Sequence, residues 1–184
     1  MASAPETDDT DFTMTRFVDI VNKDLNGMLG NFVSRVCKLS NKNFGDVVPD
    51  GDGMDEELAT KINEKLNDLT NAMEKCEFRD SVFALRSLWA IANEYMTVKE
   101  PWALVKNGDM AGAAKVLNEC FQMIDLFARV SQPFIPDAAK KMQNVFEVKH
   151  DLSWPTKYEH RVVNGEKFVV PENLFNRIEL ENDK

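Results

Sequence analysis

Apolar residues recur at intervals of three and four through most of the chain before residue 150, as in helices that bury one face. The segments with this spacing predict five helices, at about 14–40, 54–76, 78–96, 110–130 and 138–148. Turn-forming residues and prolines occupy the gaps, and short connections favour antiparallel neighbours. The pattern therefore predicts an all-α fold, an antiparallel helix bundle of four to five helices.

Some positions within these helices carry more specific expectations. Phe17 and Phe83 fall on the apolar faces of the first and third helices, and Trp89 falls in register with core positions of the third. Gly27 and Gly30 interrupt the first helix, where each glycine costs about 1 kcal/mol relative to alanine. Two such glycines suggest that another helix approaches closely.

The helical periodicity ends after Lys149. Asn164-Gly165 lies between short apolar pairs and is compatible with a hairpin, but a hairpin without a packing partner is only marginally stable. We expect an extended C-terminal arm that lies across the bundle. The predicted organisation is an acidic disordered leader at 1–13, a helical domain at 14–148, and the arm and tail at 149–184.

The charge pattern bears on the kind of partner. The 184-residue chain carries a net charge of −9, which argues at first against binding to nucleic acid. The acidity is concentrated at 1–15, 50–57 and 179–184, which together carry −11 and leave +2 for the rest. No apolar run is long enough to span a membrane, and the first residues lack a secretory signal. We therefore expect a cytoplasmic protein with no membrane partner.

The sequence contains no recognisable catalytic or metal-binding motif. A glycine-rich phosphate loop, a zinc-protease HExxH pattern and a nucleophile with a histidine base are all missing, and no carboxylate stands out as buried or paired. Cys37, Cys76 and Cys120 are interpreted as small buried thiols, and His150 and His160 as surface histidines. We predict no catalytic residue, no metal ligand and no cofactor site in this chain.

One group of residues does suggest recognition chemistry. Asn31 and Arg35 lie four residues apart on the first helix, at the margin of its apolar stripe, where both should be exposed. Pro101-Trp102 follows in the connection between the third and fourth helices. Amide and guanidinium groups hydrogen-bond base edges, and an indole offers a face on which an unpaired base stacks. Simpler interpretations are a solvated Asn and Arg, and a tryptophan that fills the gap between two helices.

Four separated motifs carry a resemblance to a known family. They are Val21–Asn31 with Arg35 beyond it, Glu100-Pro101-Trp102, Pro133–Pro136 and Pro171–Glu179. In their order and spacing the sequence resembles the C-terminal anticodon-binding domain of methionyl-tRNA synthetases, over about residues 12–179.

The resemblance implies a helix bundle that binds methionine tRNA and not DNA. It implies that Asn31 and Arg35 hydrogen-bond bases of the CAU anticodon. It also implies that Trp102 stacks on the first of these bases, with Pro101 holding the indole in place.

The family's catalytic domain, with its HIGH and KMSKS signatures, precedes this domain and has no counterpart in the sequence. ATP and metal would belong to that domain, so we expect a separate or truncated catalytic domain as a partner. An excised module, half of a split gene and a free-standing relative all remain open. The alternatives are a helical protein–protein interaction module and the anticodon-binding bundle of another class I aminoacyl-tRNA synthetase, such as those for leucine, isoleucine, valine or cysteine.

Overall fold

The computed structural model describes residues 11–179, so part of the predicted leader and the last five residues lie outside it. Its first element is one long helix in three parts: α1 (Met14–Ile20), a π-helical segment (Val21–Gly30) and α2 (Asn31–Phe44). The side chain of Thr13 caps its start by accepting a hydrogen bond from the Arg16 amide at 3.2 Å. The helix runs four residues further than predicted and ends at Gly45, whose φ is +81°.

The four other predicted helices are all present in the predicted order, together with one short helix that was not predicted. They are α3 (Glu56–Glu74), α4 (Phe78–Lys99), α5 (Pro101–Lys106), α6 (Met110–Ser131) and α7 (Pro136–Gln143). The side chains of Asp55 and Asp109 cap α3 and α6 by accepting hydrogen bonds from backbone amides. The short helix α5 lies between the predicted third and fourth helices, and α7 ends five residues earlier than expected.

The first helix, α3, α4 and α6 form the bundle. Helix α6 contacts α2, α4, α5 and α7, and α3 packs on α4. The first helix and α4 run side by side in the same direction, since Arg86 bonds Asp24 at 2.9 Å and Asn93 bonds the Met28 carbonyl at 3.3 Å. In α6 every residue from Val116 to Ser131 is buried. The predicted all-α bundle is confirmed. No helix in the described residues is both long and apolar enough to cross a membrane.

Residues 149–179, the described part of the predicted arm, are extended and lie across the bundle, as expected. The arm contains no strand; two isolated antiparallel bridges join Lys167 to Val47 and Phe168 to Phe146. Gly165 adopts a φ of +78° in the turn, but the residues after it pair with the loop before α3 and with the residues after α7. A self-paired hairpin therefore does not form.

Several expectations for single residues need correction. Phe17 and Phe83 are 43% and 70% exposed, so they do not join the core, whereas Trp89 is 3% exposed and does. Cys37 and Cys120 are buried as expected, but Cys76 is exposed in the turn between α3 and α4.

The two glycines of the first helix have no close neighbour on another helix. A Cβ on Gly30 would lie 3.4 Å from the Phe175 ring of the arm, and one on Gly27 would lie 3.1 Å from the Asn22 carbonyl oxygen. The close approach at Gly30 is thus made by the arm and by its own helix.

Candidate nucleic-acid interface

The structure brings Arg35 and Trp102 together from distant parts of the chain. The guanidinium carbon of Arg35 lies over the Trp102 ring, 5.1 Å from its centroid. This is a cation–π distance, and the flat guanidinium is suited to stacking on an aromatic face. Arg35, predicted to be exposed at the margin of the apolar stripe, is half-buried, and Trp102 is 36% exposed. The indole is therefore not a buried plug between two helices.

A tight turn positions Trp102 at this surface. Glu100, at the end of α4, adopts a left-handed conformation with φ +44°, which residues other than glycine rarely adopt. Pro101 follows as the first residue of α5, where its missing N–H and fixed φ are compatible with a helix start. The Glu100 carbonyl accepts a hydrogen bond from the Ala103 amide at 2.8 Å. Pro101 is buried and anchors the turn from which Trp102 projects.

Asn31 lies one helical turn before Arg35 and is exposed. Within residues 11–179 neither side chain forms a hydrogen bond or an ion pair with another residue, so the donors of both remain free. The structure records no contact between Asn31 and Trp102. Asn31 does lie on the same helix as Arg35, which contacts the indole. The amide of Asn31 and the guanidinium of Arg35 are therefore both available on the helix beside a partly exposed ring.

A polar groove begins at Asn31 and extends along the first helix. We call it the helix–arm groove: a cavity of about 530 Å³ between the π-helical segment and the C-terminal arm. Its lining residues are all polar, charged or glycine: Asp19, Asn22, Lys23, Asn26, Gly27, Gly30, Asn31, Ser34, Asn173 and Arg177.

A stripe of buried polar residues on α6 holds the arm, and the sequence analysis missed it. Its members, each at most 3% exposed, are Asn118, Glu119, Gln122, Asp125 and Arg129. Gln122 accepts hydrogen bonds from the amides of Arg161 and Val162 at 2.8 and 2.9 Å and donates to the Val162 carbonyl at 2.8 Å. The side chain of Asn118 donates to the Pro49 carbonyl and to the side chain of Asn164, both at 2.8 Å.

Both histidines contact this buried system. The side chain of His150 is 8% exposed and that of His160 is 24% exposed, so the assignment to the surface was wrong for His150 and His160 is only partly exposed. His150 lies between Asp125 at 3.2 Å and Glu166 at 3.0 Å. His160 lies 3.0 Å from Glu119, which also accepts the Tyr158 hydroxyl at 2.6 Å. The expectation that no carboxylate is buried or paired was equally wrong.

Burial changes the ionisation of two of these groups. The pKa of Asp125 is raised by desolvation, which outweighs the attraction of Arg129, Arg161 and His150. The pKa of Tyr158 is also raised, first by burial and then by the neighbouring Glu119. These groups hold the arm in place, and no three or more His, Cys, Asp or Glu side chains of residues 11–179 are grouped so as to hold a metal ion.

A signal for the polar stripe was present in the sequence. Asn118, Gln122, Asp125 and Arg129 are spaced four, three and four residues apart, so they share one face of the helix. The other residues from Val116 to Val130 are apolar except Glu119. A polar face on a central helix predicts polar partners. Those partners come from the arm, which has no periodicity of its own to identify them.

Family models and relatives identify this bundle. A model described as the anticodon binding domain of methionyl tRNA ligase matches residues 48–184. The chain belongs to this family. Residues 1–37 of this chain also match a second family model, which is described as class I tRNA synthetases (M). The resemblance stated from the four motifs is confirmed.

Relatives extend the match over the whole chain. The methionine–tRNA ligase of Caulobacter vibrioides is 38% identical over 187 aligned residues, covering 98% of this chain and 33% of the relative. That of Streptomyces avermitilis is 39% identical over 186 residues, covering 97% and 32%. The chain thus spans about one third of the length of these curated relatives.

A solved structure has the same fold. The free-state crystal structure of Mycobacterium tuberculosis methionyl-tRNA synthetase superposes with a TM-score of 0.79 at 22% identity, covering 92% of this chain and 36% of that one. At this identity the likeness concerns the fold alone. The fold expected from the resemblance is the fold that the chain adopts.

Proposed function

We propose that this anticodon-binding domain recognises the CAU anticodon of methionine tRNA and thereby supports tRNA aminoacylation in translation. The observation that carries the proposal is the cation–π contact in which the guanidinium carbon of Arg35 lies over the Trp102 ring, 5.1 Å from its centroid, one helical turn from the exposed Asn31. Family membership supports the same function.

The contact with Trp102 suits Arg35 to base recognition. The guanidinium carbon lies over the ring, and no guanidinium N–H group forms a hydrogen bond with another residue of 11–179. Contact with the ring restrains the side chain, so its planar donors lose less freedom when they bind acceptors on a base edge. Asn31 adds a donor and an acceptor on one amide, which suits the paired groups that a base edge presents.

Trp102 supplies the stacking surface. One face of the indole is covered by Arg35, and we assign the base to the remaining exposed surface of the ring. Base stacking on an aromatic side chain contributes about 1–3 kcal/mol, and a well-formed paired hydrogen bond discriminates between bases by a similar amount. Three such contacts distinguish anticodons without requiring high affinity.

The net charge of −9 limits the affinity of the domain alone. Phosphate contacts supply most nonspecific affinity for RNA, and an acidic chain makes few of them. We therefore expect weak, salt-sensitive binding, with the rest of the tRNA held by a catalytic domain. ATP and metal chemistry belongs to that domain, and the present chain does not activate methionine by itself.

Two exposed phenylalanines support a docking role for one end of the bundle. Phe17 on α1 and Phe83 on α4 are 43% and 70% exposed. The parallel register set by the Arg86–Asp24 bond places them toward the same end. Residues 1–37, which include Phe17, match a class I synthetase model. We propose that this end of the bundle contacts a catalytic domain. The domain then binds RNA at one surface and a protein at another, so the protein–protein interaction expected as an alternative becomes part of the same function.

The proposal is tested first by specificity. Fluorescence anisotropy titrations compare the chain with an RNA hairpin that carries the CAU loop and with the same hairpin in which one anticodon base is changed. We expect the CAU hairpin to bind about fivefold more tightly or more, since one lost paired contact costs about 1–3 kcal/mol. Equal dissociation constants for the two hairpins would exclude anticodon recognition.

A second experiment distinguishes a role of Trp102 in base stacking from a role in packing the fold. The variant Trp102→Ala is compared with wild type in hairpin binding and in thermal melting, with the exposed Phe83→Ala as a control. We expect Trp102→Ala to lose about fivefold in affinity or more while remaining cooperatively folded. A folded variant that binds the CAU hairpin as well as wild type does would contradict the assignment of the base to this ring.

A further inference from the structure

The geometry points to the helix–arm groove as a second RNA contact: it binds the ribose–phosphate backbone of the nucleotides next to the bases read by Asn31 and Arg35. This inference rests on the proposed function and extends it from bases to backbone. It assigns a role in binding to Asn26, Ser34 and Arg177.

The chemistry of the lining favours a hydrated anionic polymer. The groove, with a volume of about 530 Å³, is lined by no apolar residue, and the functional groups that its residues present are amides, a hydroxyl and charged groups. Small-molecule pockets are mostly apolar with a few polar groups, which this groove is not. Amides, hydroxyls, arginine and backbone N–H groups are the usual partners of phosphate and sugar oxygens in nucleic-acid complexes.

The donors in the groove are free. Asn26, Ser34, Asn173 and Arg177 form no side-chain hydrogen bond or ion pair with another described residue. Lys23 is 3.3 Å from Asp19 on the exposed side of the helix, so these two charges offset each other. Arg177 therefore leaves the lining with one net positive charge, on a chain whose overall charge is negative.

The arm is fixed where it forms the second wall. The side-chain amide of Asn22 donates to the Ile178 carbonyl at 2.8 Å and accepts from the Ile178 amide at 3.0 Å. The Phe175 ring packs against Gly30, where any Cβ would be only 3.4 Å away. These contacts lie on both sides of Arg177 in the sequence and hold its backbone beside the first helix.

The helical wall is unusual as well. Val21–Gly30 is π-helical, a rare conformation that is frequently found at functional sites. The segment carries Asn22, Asn26 and Gly27 into the groove, and Asn31 follows directly after it. Asn31 itself lines the groove. When Asn31 contacts a base, the sugar–phosphate backbone of the adjacent nucleotide therefore lies at the mouth of the groove.

The test separates backbone contacts from base contacts. Anisotropy titrations at low salt use the CAU hairpin and a second hairpin whose three anticodon nucleotides are abasic, so that it keeps the backbone and lacks the bases. The variants are Arg177→Gln on the arm and Asn26→Ala on the helix. Lys157→Gln, an exposed cation elsewhere on the arm, is the matched control, and Trp102→Ala reports on base stacking.

We expect Arg177→Gln and Asn26→Ala to weaken both hairpins by the same factor, about threefold to tenfold. Arg177→Gln should also reduce the salt dependence of binding by about one counterion. Trp102→Ala should weaken only the CAU hairpin, and Lys157→Gln should weaken neither.

The two proposals fail in different ways. If Trp102→Ala acts as expected but Arg177→Gln and Asn26→Ala bind both hairpins like wild type, the groove does not contact the backbone. If the groove variants weaken binding of both hairpins and Trp102→Ala binds the CAU hairpin like wild type, the proposed base stacking on Trp102 is contradicted and the backbone contact is supported. If wild type binds neither hairpin, both proposals fall. Unchanged melting temperatures of the groove variants exclude a displaced arm as the cause of weaker binding.

Discussion

The substitution Gln122→Met measures how strongly α6 holds the arm. Gln122 is 2% exposed and satisfies three backbone groups of the arm: the amides of Arg161 and Val162 and the Val162 carbonyl. Methionine has a similar volume and no amide, so it leaves these groups without partners and creates little cavity. At about 1 kcal/mol for each lost bond, we expect the free energy of unfolding to fall by about 3 kcal/mol.

Urea denaturation followed by far-UV circular dichroism measures this change. Gln132→Met is the matched control, because Gln132 lies at the end of the same helix, is exposed, and forms no side-chain hydrogen bond within the described residues. The control should remain within about 0.5 kcal/mol of wild type. Limited proteolysis detects release of the arm without loss of the helices. A Gln122→Met protein as stable and as protease-resistant as the control would refute the argument that these bonds fasten the arm.

Three further predictions concern stability. Because burial raises the pKa of Asp125, the folded state keeps a proton that the unfolded chain has lost, and this contribution to stability falls as the pH rises above about 4. Urea titrations across pH should therefore show Asp125→Asn gaining stability relative to wild type as the pH rises; a constant difference would contradict this. Gly45→Ala, at φ +81° and ψ −158°, should cost about 1–3 kcal/mol in thermal melts, and no change would refute the strain. Asn22→Ala removes both bonds to Ile178 and should speed hydrogen exchange and proteolysis near the end of the arm; wild-type rates would contradict the anchoring.

The helical bundle could be predicted because its signal is local. The four-residue steps of Leu58, Ile62 and Leu66 in α3 determine which face is buried, and all three residues are in the core. The contact between Arg35 and Trp102 could be anticipated only through the family motifs, since residues this far apart in sequence carry no periodic relation.

The missed features depend on contacts between distant segments. Phe83 has the spacing of a core residue, but no described element covers it, so hydropathy alone misplaced it. His150 and Glu119 are polar residues that become buried only because the arm folds over α6. The helix–arm groove was missed because Arg177 and Asn26 meet only when the arm returns to the first helix.

The central claim is that Asn31, Arg35 and Trp102 read the anticodon. Its most direct test is the ratio of the dissociation constants for a base-changed hairpin and the CAU hairpin, measured with wild type and with Arg35→Gln. We predict a ratio of about five or more for wild type at each anticodon position, and for the variant a ratio near one at the position whose base Arg35 contacts, because the lost guanidinium contact supplies about 1–3 kcal/mol of discrimination. A folded Arg35→Gln protein that keeps the wild-type ratio at all three positions would contradict the account.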